Sequence, residues 1–116
     1  MSTAPKEPVD VYDVAGYLNS KAARVVRACR ARGWATDWSR RGAYLFLEVA
    51  EVIESLRGKG DSPPAEEAAD VLLVYLSILG ANGIDVAVVL AEMDRKLALI
   101  EAGTIGAGPD AVRVSP

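Results

Sequence analysis

Apolar residues recur along this chain at helical rather than strand spacing. From about Asp10 to Arg32, Val14, Leu18, Ala22, Val25 and Cys29 follow one another at steps of three and four, which predicts a helix with one apolar stripe. Gly33 is its stop, and Trp34 to Ser39 form a short connection. A second helix is predicted over about Arg40 to Arg57, where Leu45, Val49, Val52, Ile53 and Leu56 fall within roughly 100° on a helical wheel. Gly58-Lys59-Gly60-Asp61 reads as a turn. Ser62 can cap a third helix, with Pro63 at its first position and Glu66 and Glu67 at its positive end. That helix runs to about Asn82. Between Ala68 and Ala81 its only charge is Asp70, and a helix apolar on all sides is normally buried. A strand is the competing assignment for Val71 to Leu79, but the segment is too long for a typical one. Asp85 can cap a fourth helix whose face is Val86, Leu90, Met93, Leu97 and Ile100. Gly103, Gly106, Gly108 and Pro109 then end the pattern. The expected organisation is a flexible arm over 1–9, one domain over 10–103 and a flexible tail over 104–116. The expected fold is an all-α, four-helix bundle.

The composition narrows the chemistry. The 116 residues fit one domain, and 51% hydrophobic with 25% charged residues is a globular composition. Cys29 is the sole cysteine and histidine is absent. A disulfide framework within the chain, a Cys/His zinc site, a Ser-His-Asp triad and a histidine general base are all excluded. Carboxylate ligation of hard cations such as Mg²⁺ and Mn²⁺ stays open. The longest strongly apolar run, Val71 to Leu79, is about half of the ~20 residues a membrane span needs. Met1 to Pro8 has no hydrophobic signal region, so a cytoplasmic setting and no membrane partner are expected. The net charge of -3 argues against nucleic-acid binding. Lys21, Arg24, Arg27, Arg30 and Arg32 make a basic face on helix one, which is ordinary towards a helix C-terminus.

The carboxylates carry the strongest signal. Glu48, Glu51 and Glu54 step by three along helix two, opposite its Leu45/Val49/Val52/Leu56 face, and the plain reading is a solvated acidic face. Helix three changes that. Glu67 and Asp70 are again three apart, and their side continues through Val74, Ser77, Ile78 and Ala81. Glu67 is accounted for by the helix dipole. Asp70 is apolar on nearly every flank and costly there unless paired or bound to metal. Across a short turn, Glu48-x-x-Glu51 and Glu67-x-x-Asp70 can face each other. Four carboxylates in one cleft repel, and divalent cations are the usual remedy.

The stretch Leu47-Glu-Val-Ala-Glu-Val-Ile-Glu54, followed by Glu67-Ala-Ala-Asp-Val-Leu72 and Gly83-Ile-Asp85, resembles the MazG-like nucleoside triphosphate pyrophosphohydrolases of the all-α NTP pyrophosphatase superfamily. The family pattern is ExxE, a spacer of a dozen or more residues, then ExxD. Here the spacer, Val52 to Glu66, is 15 residues. The resemblance covers roughly Gly33 to Ile100. It implies a helical bundle completed by dimerisation and hydrolysis of a (d)NTP to (d)NMP and pyrophosphate. It implies Mg²⁺, with Mn²⁺ as a substitute, held by Glu48, Glu51, Glu67 and Asp70 as the catalytic and metal-binding set. One of these carboxylates, or the metal, would activate water. It also implies house-cleaning of non-standard or excess nucleotides. Members often carry Asn-x-Lys near the end of the last helix. Asp94-Arg95-Lys96 keeps the lysine and replaces the asparagine, which leaves Lys96 as a triphosphate contact.

Other substrate contacts are weighed against simpler roles. Lys96 also suits an exposed pair with Glu92, four residues earlier. Arg57 and Lys59 can clamp a phosphate or simply favour the end of helix two. Tyr44 shares the side of Glu48 and Glu51, and Trp38 lies just before it; either can stack on a base. Trp34 fits packing of the connection better. Many members carry His-x-Pro where this chain has Trp38-Ser-Arg-Arg-Gly, so base preference does not transfer. Cys29 reads as a core thiol. The expected assembly is a homodimer or homotetramer with helix three at the interface. The alternative to an enzyme is a non-catalytic helical interaction module with a solvated acidic face.

Overall fold

The computed structural model describes residues 11–103. It contains α1 (Val11–Ala31), α2 (Trp38–Leu56), α3 (Pro64–Ala81) and α4 (Val86–Glu101), and no strand among the described residues. The all-α, four-helix expectation therefore holds, and the strand alternative over 71–79 is excluded. The arm over 1–9 and the tail over 104–116 lie outside the described residues. No single helix among those described is long and apolar enough to cross a membrane, and the chain turns by 116° between α3 and α4.

The helix ends follow from local chemistry. At the end of α1, Gly33 takes a positive φ of 72°. Trp34 N–H then reaches back to the Cys29 carbonyl at 2.8 Å and Gly33 N–H to that of Arg30 at 3.1 Å, a glycine-dependent closure. Helix α2 begins at Trp38, two residues earlier than expected, because Asp37 caps it. The Asp37 carboxylate accepts from Arg40 N–H at 3.1 Å and from the Ser39 hydroxyl at 2.8 Å. Helix α3 corrects the sequence reading by one residue. Its N-cap is Pro63, with no side-chain capping bond, and Pro64 is the first helical residue. A residue before proline is steered away from helical angles, so Pro63 stays extended at ψ 152°. Ser62 does not cap; its carbonyl accepts from the Ser55 hydroxyl at 2.7 Å and ties the turn to α2. Asp85 caps α4 as expected, accepting from Ala87 N–H at 2.9 Å. Asn19 of α1 clasps the same end, donating to Asp85 at 2.9 Å and accepting from Val86 N–H at 3.0 Å.

Helix α3 packs against both α1 and α2, and α4 packs against α1. The core is small. It joins Ala15, Ala22, Val26 and Cys29 of α1 to Val74, Leu76 and Leu79 of α3 and Val86 of α4. At Gly80 the backbones come close: a β-carbon there would stand 3.0 Å from the Ala22 carbonyl oxygen and 3.1 Å from Val26. The α1–α3 seam thus depends on a missing side chain.

Three faces differ from expectation. In α2 the stripe turned towards α3 runs through Arg41, Leu45, Glu48, Val52 and Ser55, while Val49, Ile53 and Leu56 are exposed. Leu45 and Val52 of the predicted face stay inward, but Arg41 and Glu48 share the seam with them, which turns Val49, Ile53 and Leu56 outward. Helix α3 is not buried all round: Leu72, Leu73 and Tyr75 are exposed. In α4 only the first turns are covered, and Met93, Leu97 and Ile100 are exposed.

Candidate functional site

The turn between α2 and α3 returns the chain so that the two acidic motifs meet. Glu48 of α2 and Glu67 and Asp70 of α3 each bring one carboxylate oxygen to within 4.8 Å of the other two. Glu48 and Glu67 are partly buried. Their Oε2 atoms are shut away from solvent, and neither has a hydrogen-bond partner. Burial pushes the Glu48 carboxyl above the usual glutamate range, and repulsion from Glu51 and Asp70 adds to this. Hydrogen bonding to Glu51, which favours the protonated form, and the charge of Glu67 push the same way. Glu51 therefore belongs to the group electrostatically, although its oxygens are outside the three that converge.

Among the described residues, no cation pairs with this charge. The ion pairs among the described residues are Arg40–Asp37, Arg57–Glu54 and Arg95–Glu92, each three residues apart on the surface. None reaches Glu48, Glu51, Glu67 or Asp70. An unpartnered buried carboxylate oxygen costs on the order of 1–3 kcal/mol or more, and this site has two. The donor set is all carboxylate oxygen, without sulfur or imidazole. It fits a hard divalent cation such as Mg²⁺ or Mn²⁺.

Two clefts flank the cluster. One, of about 240 Å³, is lined by Glu51, Glu54, Ser55 and Glu67 together with Lys59 to Ser62 of the turn. Lys59 reaches it because Gly58, at φ 76°, ends α2 and lets Lys59 N–H bond the Glu54 carbonyl at 2.9 Å. The second, of about 310 Å³, is lined by Glu48 and Asp70 and by Val25, Cys29, Trp34, Arg41, Tyr44, Leu73 and Val74. The acidic cluster separates a polar cleft from an apolar and aromatic one.

The expected substrate contacts divide. Tyr44 lines the second cleft. Trp38, at the first position of α2, is 68% exposed and lines neither cleft. Trp34, expected to pack the connection, is the tryptophan at the cleft, and it is 57% exposed. Arg57 lines neither cleft and pairs with Glu54 at 3.4 Å, the simpler of its two roles. Lys96 is exposed on α4, where Glu92 is held below its usual range chiefly by hydrogen bonding from Arg95 and least by the charge of Lys96. Because α4 packs on α1, the fold does not bring Lys96 to the acidic cluster. Arg41 is the residue that sequence reasoning missed. Seven residues before Glu48, it shares the same inward stripe, a spacing that marks it once Glu48 is known to face α3. Compared with family models, curated proteins and solved structures, the chain matches none of them.

Proposed function

We propose that this protein is a divalent-metal-dependent nucleotide pyrophosphohydrolase that converts a (d)NTP to (d)NMP and pyrophosphate. The observation that carries the reading is the set of converging, uncompensated carboxylates, with two buried oxygens that lack any donor. The ordered Glu48-x-x-Glu51 and Glu67-x-x-Asp70 pair, which resembles the MazG-like pattern, supports the same reading. Glu48, Glu67 and Asp70 would hold Mg²⁺ or Mn²⁺, with Glu51 beside them. A cation there supplies charge neutralisation and Lewis acidity towards the triphosphate. Glu51 opens to the polar cleft beside the converging three, and its carboxylate would take the proton of an attacking water. Lys59, in the same cleft, offers a cation to the leaving pyrophosphate.

The assembly belongs to the same proposal. Exposed apolar side chains stand on α2 (Phe46, Val49, Ile53), on α3 (Leu72, Tyr75) and on α4 (Met93, Leu97). Such exposed apolar faces are what an association surface is built from. A second copy covering α3 and its neighbours gives a homodimer or homotetramer. Cys29 is free and buried, in keeping with a reducing cytoplasmic setting. A non-catalytic interaction module would also use the apolar faces. It leaves the orphaned carboxylate oxygens without a reason.

Incubation with each (d)NTP and Mg²⁺, with the products separated, tests the activity. Monophosphate and pyrophosphate are expected, abolished by a chelator. Release of inorganic phosphate with a diphosphate, or no turnover of any (d)NTP, overturns the reading.

A further inference from the structure

The apolar cleft holds a charge that the proposed hydrolysis does not use. Arg41 is only 7% exposed. Its Nε donates to Ser77 Oγ at 3.0 Å, and Ser77, fully buried, donates in turn to the Val74 carbonyl at 2.6 Å. This chain fixes the guanidinium from behind. A guanidinium carries five N–H donors. Among the described residues, those on the two Nη atoms have no acceptor, and no carboxylate lies at ion-pair distance. The Nη atoms are not closed off from solvent, so their donors are open to a ligand entering the cleft that Arg41 lines.

The walls say which ligand. Val25, Leu73 and Val74 are apolar, and Trp34 and Tyr44 are aromatic. The Tyr44 ring lies 5.5 Å from the Arg41 guanidinium carbon. Glu48 and Asp70 line the same cleft, so an anion is repelled while a neutral flat ring is not. We propose that this cleft is a nucleobase pocket in which Arg41 selects a base presenting two neighbouring acceptors. Guanine does so with O6 and N7, cytosine with O2 and N3. Adenine sets its amino group beside N1 and N7 and offers no adjacent acceptor pair, and in thymine and uracil N3–H stands between the two carbonyls. Arginine bonds such an acceptor pair with both arms of its fork, and lysine cannot. The inference rests on the reading of the acidic cluster as a triphosphate site, since that reading puts a base next to the carboxylates.

Deoxynucleosides carry no phosphate, so their binding needs neither metal nor catalysis. NMR titration of the full chain in chelator, with deoxyguanosine, deoxycytidine, deoxyadenosine and thymidine, reads the pocket alone. Deoxyguanosine or deoxycytidine is expected to bind at least about tenfold more tightly than deoxyadenosine and thymidine. Arg41→Lys keeps the charge and is expected to shrink that ratio to about threefold or less. Trp34→Ala, at a largely exposed position, is expected to weaken all four by roughly tenfold and leave the ranking unchanged. Equal binding of the four by the wild type overturns the proposal, as does an unchanged ranking in a folded Arg41→Lys. Where Arg41→Lys fails to fold, the wild-type ranking and the Trp34→Ala loss decide. Hydrolysis of (d)NTPs without a base ranking removes the pocket alone. A ranking without hydrolysis keeps the pocket and removes the catalytic reading.

Discussion

Glu48 of α2 and Glu67 of α3 each bury one carboxylate oxygen, Oε2, in the seam between their helices, and neither oxygen meets a donor. A protein that needed only a packed seam would fill these positions with apolar side chains, at no loss of stability. Both acids sit beside Asp70 instead, with their oxygens converging. The arrangement is unfavourable for the protein alone and favourable for the protein with a divalent cation.

The pH dependence of stability in chelator has a definite sign. Burial and the neighbouring carboxylates raise the Glu48 carboxyl above its unfolded value. The folded state then binds this proton more tightly than the unfolded state does. The stability it contributes is fully present below the unfolded value, about 4.3, and is lost as pH rises through the folded value. Asp37, Asp85 and Glu92 are shifted down by hydrogen bonds from Ser39, Asn19 and Arg95. They act in the opposite sense, losing their contribution as pH falls. Melting curves of wild type and Glu48→Gln across pH 4–8 separate the two. The substitution should remove the loss on the alkaline side and leave the variant more stable than wild type near neutrality. A wild-type profile unchanged by Glu48→Gln contradicts this.

Two glycines in helices give opposite outcomes from the same substitution class. Gly16 on α1 has open space where a β-carbon would go, so Gly16→Ala should stabilise by about 0.5–1 kcal/mol. At Gly80 the obstacle is the Ala22 backbone, which cannot move without moving α1. Gly80→Leu should cost on the order of 3 kcal/mol by overpacking. Denaturant titration of both variants checks the α1–α3 seam, and a tolerated Gly80→Leu would show that it is looser than described.

Association should be visible in solution. Sedimentation at micromolar concentration should give a dimer or tetramer. Leu72→Glu, on the exposed side of α3, should dissociate it while leaving the helical content intact. A monomeric wild type counts against self-association.

Much of this was legible in the sequence where a local rule governs. The four helices follow from apolar spacing, and the cap at Asp85 follows from an acidic residue before an apolar run. Asp70 stood out because a charge in an otherwise apolar helix needs a reason. What was not legible depends on how helices face one another. Periodicity assigns polar residues to the outside, so Arg41 and Glu48 hid the true inward stripe of α2. The consecutive prolines moved the start of α3 by one residue, through an effect of Pro64 on Pro63. The resemblance to Asn-x-Lys offers Lys96 as a triphosphate contact, yet the packing of α4 on α1 is a tertiary choice that no local pattern encodes.

The most direct test of the metal centre is a set of four melting curves: wild type and Asp70→Asn, each with excess Mg²⁺ and with chelator. The substitution keeps the shape of Asp70 and removes a charge that repels Glu48. In chelator the variant should equal the wild type or exceed it by on the order of a kcal/mol. With Mg²⁺ at about a hundred times its dissociation constant, the wild type should gain about 2.7 kcal/mol, several degrees in melting temperature. The variant should gain little of this, and its hydrolysis of (d)NTPs should fall by orders of magnitude. An Asp70→Asn protein destabilised to the same extent with and without Mg²⁺ would mark Asp70 as a structural residue and contradict the metal centre.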